Sequence, residues 1–333
     1  MTEQAMNAYT DSCGIESIEQ VDSAVIAAAK AAGVTDAAET MVFARQLEVI
    51  RSKTYERQYS ELKGRRFVPV TSEAGLTAEF VTTRIFDGYV MAKVVSDYET
   101  DFPLVTAAGF EVTSKFHSIG DAYSYTVMEM MKAAKAGVPL SEKYATLARR
   151  GIELGIDDMI AVGVPQAKTF GLLNNPNVSI QTLPNGSWGA ATGQQILDDL
   201  NALVTQMWTG TLELYAPDTI LMSSAAFRLI SVKLLNNANS SNITVLEAFR
   251  KMNPGIQIES WTKLNTANAA GNNGRIVAYK RDSDVLEFQL GADFTILGTE
   301  QSQLKITTYC IARGAGVSVH LPFAVVYADS QAL

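Results

Sequence analysis

Side chains suited to chemistry at neutral pH are scarce in this sequence. It has two histidines, His117 and His320, and two cysteines, Cys13 and Cys310. A serine or cysteine hydrolase needs its nucleophile beside a base. Each histidine instead sits in a run that alternates like a strand, Val112–His117 and Val317–Leu321, which predicts packed or surface strand positions. No G-x-S-x-G is present; Asn185-Gly-Ser-Trp-Gly189 comes nearest and has Asn where the first glycine belongs. There is no C-x-x-C, no H-E-x-x-H and no phosphate loop. Gly314-Ala-Gly316 opens like a dinucleotide fingerprint, but Val319 replaces the third glycine and a β-branched run follows where a helix is needed. Asp157-Asp158 and Asp198-Asp199 fall on predicted helices, where neighbours point ~100° apart; they read as solvated helix faces. We expect no catalytic residue, no metal, no cofactor, and hence no enzyme.

The 333 residues have room for about two domains or one elaborate one. Apolar residues make up 47% and charged residues 19%, enough for a sizeable core. The net charge of −8, with a pI near 5.0, argues against an electrostatic nucleic-acid binder and against adsorption to anionic lipid. Two cysteines suit a reducing compartment. Met1–Asp11 lacks the basic and apolar regions of a secretory signal. No uncharged apolar run reaches ~18 residues, so no membrane partner is expected.

The elements that would position any site follow from patterning. The first forty residues carry seven acids and one base, with a short helix predicted over Val21–Ala32. Met41–Arg66 reverses the sign with seven bases and three acids; Phe43, Leu47, Ile50 and Thr54 form a thin stripe on a polar helical arm. Phe67–Ile119 turns to β: Val68-Pro-Val70 is extended, Thr77–Phe86 is a strand, Asp87-Gly88 a turn, Tyr89–Val95 a second strand and Phe110–Ile119 a third. Long strands around the acidic stretch 96–109 predict a projecting β-ribbon, which is marginal in water unless a surface covers it. Tyr123, Val127, Met130, Met131 and Ala134 predict a helix stopped by Gly137-Val-Pro139. A longer helix follows, with the stripe Tyr144, Leu147, Ala148, Gly151, Ile152, Gly155, Ile156, Met159, Ile160; the paired glycines admit another backbone. Val162–Asn175 is the best domain boundary. Beyond it Thr192-x-x-Gln195 and Thr244-x-x-Glu247 are capping boxes, and Ser223 or Ser224 caps a helix to Leu235. Strands are predicted at Asp218–Met222, Ile256–Trp261, Arg275–Lys280 and Val285–Gln289. Asn265–Gly274 is a loop, and Gln303–Tyr327 is mostly strand, returning to the first domain.

Several of these segments, in order, carry a resemblance: Phe43–Ile50 through Phe67-Val-Pro-Val70, Gly88–Tyr98, Ser118–Tyr125, Ala136–Leu140, Gly171–Asn177, Pro217–Leu221 and Thr244–Glu247. Together, over about residues 40–330, the chain resembles the major capsid proteins of tailed bacteriophages. The resemblance implies an α+β fold of the Hong Kong 97 type, which encapsulin shells and the herpesvirus capsid floor share. By analogy 1–66 is an N-terminal arm and 67–119 an extended loop with its tip near 96–109. Residues 120–164 and 303–333 form a peripheral domain with a long spine helix, and 165–302 an axial domain. It further implies pentamers and hexamers of this chain in an icosahedral shell around double-stranded DNA. A portal, a separate scaffolding protein and decoration proteins are the implied partners; the protein is made in the bacterial cytoplasm and ends in the virion. Candidate subunit contacts are Arg45, Arg51, Arg57, Arg65 and Arg66 of the arm, and Asp97, Glu99, Asp101, Phe102, Pro103 and Leu104 of the tip. The sign change along the arm gives complementary ends for pairing between copies. An acidic wall also leaves packaged DNA free to move. The alternatives are an encapsulin-type compartment shell and, further off, a cytosolic hydrolase using His117 or His320.

Overall fold

The computed structural model describes residues 60–89, 92–94, 104–137, 139–185, 187–235, 243–266 and 274–329. The chain divides into two units, Met1–Ser60 and Glu61–Leu333. Of the first only Ser60 is described, so the helix at Val21–Ala32 and most of the helical arm lie outside the described residues, as does 267–273 of the predicted loop.

In chain order the elements are α1 (Gly64–Phe67), β1 (Val70–Thr71), β2 (Phe80–Tyr89), β3 (Thr106–Lys115), β4 (His117–Thr126), α2 (Val127–Lys135) and α3 (Leu140–Ala161). Then come β5 (Gly163–Val164), β6 (Thr169–Phe170), β7 (Ser179–Thr182), α4 (Gly193–Gly210), β8 (Thr219–Met222), α5 (Ser224–Val232), α6 (Val245–Met252) and β9 (Gln257–Ser260). The last are β10 (Arg275–Tyr279), β11 (Leu286–Ser302), β12 (Lys305–Val319) and β13 (Val325–Asp329). One sheet has the order β1-β11-β12-β4, a second β7-β13-β10-β8-β9; β2 and β3 pair only with each other, and β5 with β6.

The helices form where their sequences cap and face the core. The long α3 starts after Pro139 and buries Ala148, Ile152, Ile156, Met159 and Ile160, as its stripe predicts. Thr192 and Gln195 satisfy each other's backbone N–H at the start of α4. Ser223 Oγ accepts the Ala226 N–H for α5, and Thr244 Oγ1 accepts the Glu247 N–H for α6. Thr126 and Glu129 make a further capping box for α2, so Tyr123 belongs to β4 and not to that helix. Tyr123 instead stacks with Tyr125 and with Tyr144 of α3 at ring separations of 6.5 Å.

Five expectations in the β regions change. Asp87-Gly88 lies inside β2, paired with Ala108 and Ala107, because the register of the ribbon overrides the local turn signal. Residues 92–94 are not strand. Phe110–Ile119 breaks at buried Phe116 into β3 and β4, which belong to different sheets. β11 runs 17 residues, far past Gln289; register shifts between Phe288 and Gly298 break its alternation, which hid the strand from pattern reading. β12 continues through Gly314 and Gly316 and pairs with β4, while β13 enters the five-stranded sheet.

Candidate assembly surface

The ribbon of β2 and β3 pairs with no other strand among the described residues. Its pairing runs from Phe80↔Lys115 to Tyr89↔Thr106. One face is polar: the Thr82 and Thr113 hydroxyls lie 3.0 Å apart, and Arg84 Nε meets Glu111 Oε1 at 2.9 Å. Phe86, 79% exposed, lies over Gly109 on the same face. The opposite face carries Ile85, Tyr89, Phe110 and Val112, the last three exposed. At the base the Phe116 N–H donates to Glu79 O, its ring is buried, and the Arg313 guanidinium stands 6.0 Å over it. A ribbon with apolar side chains on both faces and a fixed base presents surface that water does not favour. Leu104, at its far end, is 85% exposed. Asp97, Glu99, Asp101, Phe102 and Pro103 lie outside the described residues, as do Arg45, Arg51 and Arg57.

Arg65 and Arg66, expected at contacts between copies, have carboxylate partners within the chain. They belong to a strap, 63–71, that holds the point where the chain enters the body. Arg65 binds Glu153 of α3 at 3.2 Å and Asp293 of β11 at 2.7 Å, and Arg66 pairs with Glu259 of β9. The donated guanidinium bond holds Asp293 below the usual carboxylate range. Lys63 Nζ donates to Ser260 O at 3.3 Å and the Gly64 N–H to Asp157 Oδ1 at 2.7 Å. Phe67 packs edge-on against Trp261, and Tyr279 Oη donates to Phe67 O at 2.7 Å. β1 then pairs with β11, and Thr71 Oγ1 donates to Glu287 Oε2 at 2.6 Å. The strap thus touches both large sheets and α3. Every partner is remote in sequence, the nearest being Glu153, 88 residues from Arg65, beyond the reach of any local pattern.

The groups with catalytic potential sit in varied surroundings. His117 Nε2 lies 2.9 Å from Thr169 Oγ1, but Thr169 is buried, and burial followed by the charge of Lys115 lowers the His117 pKa. A base needs the opposite environment, a carboxylate that supports the imidazolium. His320 lies just past β12, with Nε2 3.1 Å from Glu287 Oε1. Cys310 is buried, which pushes its thiol up, away from thiolate reactivity. The paired aspartates do not both face solvent. Asp158 is exposed and pairs with Lys263, whereas Asp157 is buried and its pKa rises mainly through desolvation. Asp198 is exposed; Asp199 is fully buried, accepting from Trp188 Nε1 at 3.0 Å and Asn185 Nδ2 at 2.9 Å. The ~100° between neighbours sends one of each pair inward. Among the described residues no helix is long and apolar enough to cross a membrane.

Comparison with known proteins places these features in a family. The family model described as major capsid protein matches residues 91–330. A search of curated proteins returned no match. Among solved structures, the capsid of Myoviridae phage XM1 is similar at a TM-score of 0.76 and 19% identity, covering 87% of this chain and 99% of that one. A chain of Mycobacterium phage Bobi gives 0.61 at 15% identity, covering 85% and 94%. The virus-like particle of Pyrococcus furiosus gives 0.53 at 15%, covering 79% and 90%. With more than half its length matched by the family model and its fold shared with phage capsids, the chain belongs to the major capsid protein family and has the Hong Kong 97-type fold.

Proposed function

We propose that the chain forms pentamers and hexamers of an icosahedral phage head enclosing double-stranded DNA, and that each copy lays its ribbon on a sister copy. The observation that carries this is the β2–β3 ribbon, paired only with itself and exposing aromatic side chains on both faces. A lone two-stranded ribbon is marginal in water, and shell assembly supplies a covering surface many times over. Residues 1–66 serve as the arm and 67–119 as the extended loop. Residues 120–164 and 303–333 make the peripheral domain and 165–302 the axial domain, with β11 pairing with β12 and β13 with β10 across that division. Arg45, Arg51 and Arg57 and the acidic tip supply contacts between copies. A portal, a separate scaffolding protein and decoration proteins complete the head, which assembles in the bacterial cytoplasm before the chain is carried in the virion. Electron microscopy of particles formed by the full chain tests the reading. Closed shells with pentamers and hexamers are expected; a purely monomeric protein would overturn it. The second reading is an encapsulin-type shell, and protein cargo in place of DNA would select it.

A further inference from the structure

One face of the four-stranded sheet gathers four polar side chains from three segments. Glu287 and Gln289 lie two apart on β11 and so share that face. Thr71 of β1 stands opposite Gln289, and Ser318 of β12 opposite Glu287, with His320 two residues further on. The Glu287 carboxylate is the centre. Thr71 Oγ1 donates to its Oε2 at 2.6 Å, while His320 Nε2 and Gln289 Nε2 lie 3.1 Å and 2.5 Å from its Oε1. Gln289 is 4% exposed, and its amide oxygen is buried with no hydrogen-bond partner. A buried acceptor without a partner is costly. Turning the amide over points that oxygen at the carboxylate, and two facing acceptors are held together only by a proton or a cation between them.

Imidazole, carboxylate and amide oxygen together suit a borderline divalent ion of the zinc type, whereas a hard ion such as magnesium prefers oxygen and water alone. We propose that Glu287 Oε1, His320 Nε2 and the amide oxygen of Gln289 bind such a cation, with water as the fourth ligand. Thr71 Oγ1 then orients the carboxylate from its other oxygen. Tetrahedral ligands at ~2.1 Å from zinc stand roughly 3.4 Å apart, so the cluster admits the ion by opening about 1 Å or less. The ion has a way in, because His320 also lines a groove of about 400 Å³ together with Phe80, Phe170 and Val317. Among the described residues no three His, Cys, Asp or Glu gather; this site escapes that pattern because its third ligand is an amide. Bound there, the cation ties β1, β11 and the end of β12 at one point. The inference stands apart from the shell-forming function proposed above.

The test uses the full chain, freed of metal with a chelator and titrated with zinc ion by calorimetry and thermal melting. Zinc is expected to bind at one site per chain and to raise the melting temperature by about 5 °C near saturation. Magnesium at the same concentration should leave it unchanged. His320→Asn should lose the zinc-dependent rise. Gln289→Leu removes the orphaned oxygen without adding a polar group; it should melt no lower than the parent in chelator and bind zinc at least tenfold more weakly. Gln289→Glu supplies a second carboxylate. It should melt below the parent in chelator, through like-charge repulsion, and bind zinc at least tenfold more tightly. A parent with no zinc-dependent rise, or a rise that Gln289→Leu leaves unchanged, would overturn the site and leave the proposed function standing.

Discussion

At the scale of single residues, burial decides what each charge does. Asp157 is inside because the Gly64 N–H needs an acceptor there. Asp157→Ala leaves that donor unsatisfied and should cost about 1–3 kcal/mol in chemical denaturation. Asp157→Asn keeps an oxygen in place. The folded pKa of Asp157 is raised, so ionising it costs stability: the contribution of the protonated carboxyl is fully present below the ordinary carboxylate value and lost as pH rises through the folded value. The amide removes that cost, and at neutral pH the variant should lie within about 1 kcal/mol of the parent. A loss as large as that of the alanine variant would contradict this account. His117 has the opposite sign for its type. Its folded pKa is lowered by burial and by Lys115, so its contribution is present above the ordinary histidine value and lost as pH falls. His117→Gln should therefore flatten the stability profile between about pH 7.5 and 5.5; an unchanged slope in thermal melts would refute it. The solvated reading of Asp157 and Asp199 failed because the groups that need them, Gly64 and Trp188, are neighbours only after folding.

At the scale of elements, α3 and β4 show how a helix approaches a sheet. The spacing of Gly151 and Gly155 was legible as a close approach, but side chains of β4 occupy it and not another backbone. A Cβ at Gly155 would stand 2.8 Å from Ile119 Cγ2, and one at Gly151 2.7 Å from Asp121 Oδ2. Ile119 is half-buried against the core, whereas Asp121 is exposed and free to swing. Gly155→Leu should cost about 1–3 kcal/mol through overpacking. Gly151→Ala should be neutral or stabilising by up to about 1 kcal/mol, since it gains helix propensity. Equal thermal stabilities for the two variants would count against this packing. The amphipathic stripe of α3 and the caps at Thr192, Ser223 and Thr244 could be read directly because their partners are local. The ribbon was legible too, but its register was not: Asp87-Gly88 looks like a hairpin turn, and only the pairing of Phe80 with Lys115 carries β2 through it. The strap at 63–71 gave no signal, since each of its partners comes from a remote element.

At the scale of the whole molecule, the described chain has a strapped segment at 63–71 and a ribbon whose strands pair only with each other. The catalytic negatives, the acidic balance and the ordered resemblance all pointed to a wall, and the family match and shared fold agree. The candidate contacts rest on charge and position along the chain alone, and two of them, Arg65 and Arg66, find carboxylate partners inside their own subunit. The most direct measurement of the central claim is electron microscopy and sedimentation of the full chain beside a variant lacking residues 95–103. The account predicts closed shells from the full chain, and from the variant soluble subunits with unchanged helical circular dichroism. Intact shells from the shortened ribbon, or a full chain that stays a compact monomer at high concentration, would contradict it.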